Sequence, residues 1–166
     1  MEYWDLYNEK REKLNKKCLR LNSGKLNTGE YHIVVNVWII NNQNKILLTQ
    51  RHPNKEFPLK WECTQGSLFA GEDSLTGALR EVEEEIGIKI KEENCKLLYT
   101  RKREMDFKDT YLIIQNINIE ETKLQETEVI NIKTVSKKEL LDMLDNNEIS
   151  ESIMDDVKIL IEKKII

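Results

Sequence analysis

The segment Gly66–Ile88, GSLFAGEDSLTGALREVEEEIGI, decides the fold of this chain. Asp73 or Ser74 is a typical first residue of a helix and Gly87 a typical stop, so the sequence predicts a helix between them. Apolar residues recur at helical spacing on one side of that helix, and they predict a face packed against a core. These residues are Leu75, Ala78, Leu79, Val82 and Ile86.

The other side of the predicted helix is acidic. Glu81, Glu84 and Glu85 stand at positions i, i+3 and i+4, so their carboxylates project from one face. Like charges at this spacing destabilise a bare helix by a few tenths of a kcal/mol per pair, which favours a counter-cation there. Mg²⁺ prefers oxygen ligands of this kind. An ordinary solvated glutamate-rich helix is the alternative interpretation of the EVEEE run alone.

The whole pattern is more specific than its acidic part. Its fixed positions are Gly66, Glu72, Arg80, Glu81, Glu84, Glu85 and Gly87, with aliphatic residues at 82 and 88. This spacing resembles, without a gap, the signature of the Nudix hydrolases. The resemblance implies an α/β fold, a Nudix-type α/β/α sandwich with a mixed β-sheet. It also implies Mg²⁺-dependent hydrolysis, with Mn²⁺ as an alternative, of a pyrophosphate bond in a nucleoside diphosphate linked to another group.

The resemblance also implies roles for the residues of the signature. Glu81, Glu84 and Glu85 supply metal ligands, and one of them, or a glutamate from a later loop, acts as the base. Arg80 orients a carboxylate of the cluster, and Glu72 supports the junction between loop and helix. A bound divalent cation in such a cluster neutralises charge on a diphosphate and lowers the pKa of a bound water.

Five residues outside the signature are further candidates. By the resemblance, Gln65 donates its backbone carbonyl to a metal, at a position where small residues are usual in the family. Glu126 or Glu128 is the candidate later-loop glutamate, although a solvated loop charge is the commoner role for such residues. Arg51 or Lys60, in the loop before the signature, is expected to neutralise a phosphate of the substrate.

Length and composition limit the functional classes. The 166 residues predict a single domain with an N-terminal strand or hairpin extension at about 1–28. The net charge of −4 argues against binding to a nucleic acid polymer, although a small nucleotide derivative is compatible with it. No leader or apolar run of membrane-spanning length is present, and three scattered cysteines are typical of reduced thiols, so we expect a cytoplasmic protein without a membrane partner. A homodimer is compatible with the sequence.

The remaining segments predict a mixed sheet with helices on its faces. Residues 3–7 and 13–21 predict two strands, with a short helix over 5–20 as the alternative. Residues 32–40 and 45–51 predict a hairpin at the heart of the sheet. Further strands are expected at 61–65, 88–90, 96–104, 109–119 and 129–135. Ser136 and Glu139 predict a capping box that starts a helix, and residues 150–164 predict an amphipathic terminal helix.

Two other functions fit the same fold. The YWDLY segment at residues 3–7 is similar to isopentenyl-diphosphate isomerases, which share the fold but carry a cysteine at the position of Gln65. A non-catalytic nucleotide-sensing module is the other alternative, although such modules often lack carboxylates of the signature and none is missing here.

Overall fold

A mixed β-sheet with helices on both faces forms the body of the protein. The computed structural model describes residues 1–20 and 26–166. Its strands are β1 (Tyr3–Tyr7), β2 (Lys13–Leu19), β3 (His32–Ile40), β4 (Ile46–Arg51), β5 (Trp61–Glu62), β6 (Thr64–Ser67), β7 (Cys95–Lys102), β8 (Asp106–Ile114) and β9 (Val129–Val135). Its α-helices are α1 (Ser74–Ile86), α2 (Lys137–Asp145) and α3 (Met154–Glu162). Among the helices of these residues, none is long and apolar enough to cross a membrane.

The central strand β3 explains the three-layer arrangement. It pairs in parallel with β8 along its whole length and antiparallel with β6 on its other side. Its side chains alternate between two hydrophobic cores, as strand geometry requires. Val35 and Val37 pack in the core that contains α1, while Trp38 and Ile40 pack in the core that contains α2 and α3. The expected α/β/α sandwich is therefore confirmed.

The hairpin expected from residues 32–51 is only partly formed. β3 and β4 follow one another antiparallel, but their register contains the single pair Ile40 and Ile46. The two strands diverge because β6 takes the edge of β3, while β4 pairs with β5 and β9. The divergence brings Gly66, at the start of the signature, beside the centre of the sheet.

Two strand predictions after the signature are corrected by the structure. Residues 88–90 form no strand, since Ile88 and Ile90 pack directly against the core around α1 without a ladder partner. The strand expected at residues 109–119 begins earlier and ends at Ile114, and a short 3-10 turn, Ile119–Glu121, follows. Alternating apolar residues predicted a strand in both segments, but this pattern does not show whether a partner strand is available.

The N-terminal extension is a β-hairpin, so the alternative of a helix over residues 5–20 is wrong. β1 and β2 pair antiparallel as a separate two-stranded sheet. Trp4 and Leu6 of β1 are buried, and the Trp4 ring stacks on His32 of β3 with ring centroids 3.9 Å apart. Reciprocal backbone hydrogen bonds between Tyr7 and Tyr31 continue this attachment to the main sheet.

The two C-terminal helices lie on the face opposite α1. The predicted capping box of α2 is present, since the Glu139 amide donates to Ser136 Oγ and the Ser136 amide donates to Glu139 Oε2. The predicted terminal helix starts as a 3-10 turn, Glu151–Ile153, and continues as α3.

A buried carboxylate anchors α3 to the sheet. Asp156 is fully buried and accepts hydrogen bonds from side chains of β3, β7 and β8. The donors within 3.2 Å are Asn36 Nδ2, Tyr99 OH, Arg101 Nη2 and Lys108 Nζ. The ammonium of Lys108 is itself fully buried. Burial lowers the pKa of Lys108, and the negative charge of Asp156 partly offsets this shift. The two charges therefore depend on each other.

We expect Asp156→Asn to destabilise the protein by about 3–5 kcal/mol, because it leaves the buried ammonium of Lys108 without its counter-charge. Asp155→Asn is the matched control: Asp155 is the adjacent acid of the same helix, its side chain is 68% exposed, and its loss is expected to change stability by no more than about 0.5 kcal/mol. Urea denaturation monitored by circular dichroism measures both. Equal stability of the two variants would contradict this account of the anchor.

The contact between Trp4 and His32 predicts a pH dependence of stability. Burial lowers the pKa of His32 to about 4, although the charge of Asp106 opposes this. The unfolded chain therefore binds the His32 proton more readily, so this stabilisation is present above about pH 6.5 and is lost as the pH falls towards 4. We expect the histidine to contribute a loss of about 2 kcal/mol between about pH 7 and about pH 5.

His32→Phe keeps a ring against Trp4 but cannot titrate. Its free energy of unfolding, measured by urea denaturation at several pH values, should fall less than that of the wild-type protein over the same interval. Parallel curves for the two proteins would show that His32 does not titrate with a lowered pKa.

Candidate functional site

Helix α1 is fixed at both ends by the residues that predicted it. Asp73 caps the N-terminus by accepting a hydrogen bond of 2.9 Å from the Thr76 amide. Gly87 ends the helix in the left-handed conformation with a φ of 73°. Ala78 and Val82 are buried against the sheet, so the side of the helix that carries the glutamates faces a cavity.

Arg80 connects the acidic side chains of the site. Its Nη1 donates to Glu81 Oε1 at 2.9 Å and to Glu84 Oε2 at 2.8 Å. Its Nε and Nη2 donate to the two oxygens of Glu72 at 2.7 and 3.0 Å, and its guanidinium lies 3.9 Å over the Phe69 ring. Burial disfavours the charged form, but the hydrogen bond to Glu72 and the charge of Glu81 outweigh it and raise the pKa of Arg80. The guanidinium is therefore a permanent cation.

Gly66 provides the space for Glu81. A Cβ at residue 66 would lie 2.0 Å from the Glu81 carboxyl carbon, so only glycine lets the strand and this side chain approach so closely. Burial raises the pKa of Glu81 to about 7, although the positive charge of Arg80 lowers it in part. The signature glycine and the first glutamate of the cluster thus fit together as one unit.

Glu85 is the most deeply buried acid of the cluster. It is 2% exposed, and none of the residues that the structure describes donates a hydrogen bond to its Oε2. Burial, followed by the charge of Glu62, raises the pKa of Glu85 well above its usual value. A buried carboxylate oxygen without a donor is costly, and a cation is the group that would compensate it best.

The three signature carboxylates converge on one cavity of about 90 Å³. Glu128 also lines it, and its carboxylate forms an ion pair of 2.6 Å with Lys55. Within residues 1–20 and 26–166, no three His, Cys, Asp or Glu side chains are already spaced to hold a metal ion. Arg80 accounts for this, because it draws Glu81 and Glu84 to itself. The donor set and the unpartnered oxygen of Glu85 nevertheless fit a hard divalent cation.

Neither Arg51 nor Lys60 lines this cavity, and the expectation that one of them neutralises a phosphate of the substrate stays a prediction. Arg51 is buried, and its Nη1 donates to both oxygens of Glu62 at 2.7 and 2.6 Å. Lys60 Nζ donates to the backbone carbonyl of Asn147. Lys60 lies in the loop before β5, as expected, whereas Arg51 is the last residue of β4, and the sequence did not indicate the partners of either cation.

Gln65 lies in β6, where it pairs with Asn36 of β3. Its side-chain amide donates to Glu62 and, at 2.8 Å, to Ser152 Oγ. Gln65 also lines the cavity, so its backbone carbonyl as a metal ligand stays a prediction. Glu126 is exposed and does not line the cavity, which leaves Glu128 as the later-loop acid in position.

Sequence reasoning missed two cations of the cavity. Lys55 comes from the loop between β4 and β5, and Arg20 comes from the end of the N-terminal hairpin. Arg20 pairs with Glu2 at 2.6 Å. Neither residue belongs to a recognisable local motif, and only the tertiary structure brings each of them to the signature helix.

A family comparison agrees with this geometry. The sequence matches the family model of the NUDIX domain over residues 30–157, more than half of the chain. The chain belongs to the Nudix family. An uncharacterized Nudix hydrolase of Listeria innocua is 37% identical over 142 residues, which cover 84% of this chain and 83% of that protein.

Solved structures support the Nudix fold. A Deinococcus radiodurans protein superposes with a TM-score of 0.79 at 20% identity, covering 95% of this chain and 98% of that one. The NUDIX domain of Shewanella oneidensis NrtR, solved in complex with ADP ribose, gives a TM-score of 0.62 at 17% identity and covers 80% of this chain and 88% of its own. At these identities the likeness establishes the fold alone.

We expect Gly66→Ala to displace the Glu81 carboxylate and to weaken Mn²⁺ binding about tenfold or more, because the new methyl group would occupy the position of that carboxylate. Gly71→Ala is the control. A Cβ at Gly71 meets no atom within 4 Å, but its φ of 93° disfavours alanine. Electron paramagnetic resonance measures free Mn²⁺ in both titrations. A stability loss in both variants, with weaker Mn²⁺ binding only in Gly66→Ala, is the expected result; unchanged binding in Gly66→Ala would contradict the role of this contact.

Proposed function

We propose that this Nudix protein is a Mg²⁺-dependent hydrolase of the pyrophosphate bond in a nucleoside diphosphate linked to another group. The observation that carries the proposal is the convergence of Glu81, Glu84 and Glu85 on one cavity, with an oxygen of Glu85 left unpartnered. A hard divalent cation prefers such oxygen donors, and a diphosphate is the substrate group that such a cation binds well. Mn²⁺ is the alternative ion.

The residues of the site have different proposed roles. Glu81, Glu84 and Glu85 would hold the cation, together with the backbone carbonyl of Gln65. A bound divalent cation would neutralise the diphosphate and lower the pKa of a water molecule. Arg80 orients Glu81 and Glu84, since it donates a hydrogen bond to each. These contacts keep both carboxylates at the cavity, and binding of a cation would draw them closer together.

Hydrolysis needs a group that accepts a proton from water. The water oxygen forms a bond to one phosphorus, the bridging P–O bond breaks, and two phosphorylated products leave. One of the signature glutamates or Glu128 accepts the proton. Glu128 is placed suitably, because it lines the cavity and the ammonium of Lys55 holds its carboxylate at 2.6 Å.

ADP ribose is the first substrate to test. The Shewanella oneidensis NUDIX domain was solved with this ligand, which is a nucleoside diphosphate linked to a sugar. The isomerase alternative is not favoured, since Gln65 carries no thiol and the nearby Cys63 is fully buried, with its pKa raised well above the usual value by that burial. A buried thiol of this kind is a poor nucleophile or acid.

We expect Glu85→Gln and Glu84→Gln each to lower kcat/KM by about 100-fold or more with Mg²⁺, because each removes a charged oxygen donor from the cavity. Glu83→Gln is the matched control on the same helix. Its side chain is exposed and forms an ion pair with Lys89, 3.3 Å away, so activity should stay at the wild-type value. Release of AMP from ADP ribose, with a panel of other nucleoside diphosphate derivatives beside it, measures turnover by chromatography.

The proposed function has a clear negative outcome. Folded wild-type protein that binds Mn²⁺ but hydrolyses no member of the panel would overturn it. Tight binding of one of these nucleotides without turnover would instead favour the sensing module.

A further inference from the structure

The N-terminal hairpin is attached to the loop that opens the Nudix signature. The Ala70 amide donates to the Tyr3 carbonyl at 2.7 Å, and the Gly71 amide donates to Asp5 Oδ2 at 2.6 Å. Asp5 is buried, and Lys13 of β2 forms an ion pair with it at 2.6 Å. These contacts fix the open end of the hairpin against the signature loop.

The turn of the hairpin is fixed independently. Arg11, between β1 and β2, forms a bidentate ion pair with Asp109 of β8 and also donates to Thr100 Oγ1 at 3.0 Å. Asp109 is fully buried and the Arg11 side chain is 31% exposed, so the carboxylate side of this pair is shielded from solvent. The hairpin is therefore held at both ends, and it is a rigid wall of the site rather than a loose extension. The family match begins only at residue 30, so this wall is an addition to the shared domain.

This wall brings one cation to the carboxylate cavity. Arg20 lines the cavity and, within the described part of the chain, forms its ion pair with the carboxylate of Glu2 at 2.6 Å. The pKa of Arg20 is raised, mainly by the hydrogen bond to Glu2 and further by the charges of Glu128 and Glu81. Arg20, which precedes the signature in the sequence, therefore faces the acidic cluster of the signature helix.

Arg20 can change partners at low cost, in contrast to Arg80. Arg80 is committed to Glu72, Glu81 and Glu84. The Arg20 and Glu2 side chains are 52% and 44% exposed, and an ion pair between exposed groups contributes at most about 1 kcal/mol. A phosphate offers the guanidinium two oxygens at once, which is a stronger contact than the one it replaces.

A second cavity of about 570 Å³ lies between the hairpin and the signature loop. Glu2 and Phe69 line both this cavity and the carboxylate cavity, so the two are neighbours. Tyr3, whose ring is partly exposed, lines it together with Phe69 and Ala70. This volume lies in the range of small-molecule sites, and aromatic side chains favour planar rings.

We propose that the hairpin completes the substrate site: Arg20 binds a phosphate of the diphosphate, and the groove between Tyr3 and Phe69 takes the nucleobase. This inference rests on the proposed function, since it assigns the two halves of a nucleotide to two neighbouring cavities. The substrate class it names is a nucleoside diphosphate whose base is recognised by a surface outside the common Nudix domain.

Two probes separate the two contacts. α,β-Methylene-ADP contains both a diphosphate analogue and a base, and its P–C–P bridge resists hydrolysis, whereas methylenediphosphonate contains only the diphosphate analogue. Isothermal titration calorimetry in the presence of Mg²⁺ gives a dissociation constant for each. We expect Arg20→Ala to weaken binding of both probes about tenfold or more, because it removes a charged hydrogen-bond donor. Arg20→Lys should recover part of this loss, since it keeps the charge but not the bidentate geometry.

Tyr3→Ala should weaken α,β-methylene-ADP about fivefold or more and leave methylenediphosphonate unchanged, because only the nucleotide places a ring in the groove. Lys16→Ala is the matched control for Arg20. Lys16 lies on β2 of the same hairpin, its side chain is 51% exposed and forms an ion pair with Glu30, yet it lines neither cavity. Its binding of both probes should equal that of the wild-type protein, and the melting temperatures of all variants check the fold.

The outcomes distinguish this inference from the proposed function. If the wild-type protein hydrolyses ADP ribose or a related substrate while Arg20→Ala and Tyr3→Ala keep the wild-type dissociation constants, the inference is overturned and the proposed function stands. If the variants lose binding as expected but the wild-type protein hydrolyses nothing in the panel, the hairpin site is supported and the hydrolase proposal fails. Failure of the folded wild-type protein to bind either probe also overturns the inference.

Discussion

The guanidinium of Arg80 is the interaction on which the site depends. Three carboxylates, those of Glu72, Glu81 and Glu84, approach it within 3.0 Å, and the Ser67 carbonyl accepts a further hydrogen bond at 3.1 Å. Without this cation, the three acids would repel one another across the junction of strand, loop and helix. Arg80 therefore holds the strand, loop and helix of the signature together. It also contributes to the charge of the cavity, where acidic side chains still outnumber basic ones.

The parts of this site that could be predicted are local in sequence. The bounds of α1 follow from Asp73 and Gly87, because capping and left-handed geometry are decided by residues within one turn of the helix ends. The shared face of the glutamates follows from helical spacing in the same way. The capping box at Ser136 is a further case, where two residues three positions apart satisfy each other.

The parts that could not be predicted depend on partners distant in sequence. A sequence shows that Arg51 is charged, but it does not show that Glu62 will be buried beside it and will take its hydrogen bonds. Lys55 and Arg20 reach the cavity only because loop and hairpin fold onto the signature. The pairing of β6 with β3, in place of most of the expected pairing between β3 and β4, is a further case. The alternation of apolar residues identifies a strand but does not identify its neighbour.

Two buried carboxylates show how the chemistry of this site is linked to the stability of the fold. Glu62 is neutralised by Arg51 through two short hydrogen bonds, whereas Glu85 keeps an unpartnered oxygen in the same region. The charge of Glu62 adds to burial in raising the pKa of Glu85, so an ionised Glu85 costs folding free energy. Because only the folded chain brings Glu85 into the cavity, a cation that binds there stabilises the native state by mass action. The proposed cation would therefore be held by the same carboxylate whose ionised form is unfavourable in the cation-free fold.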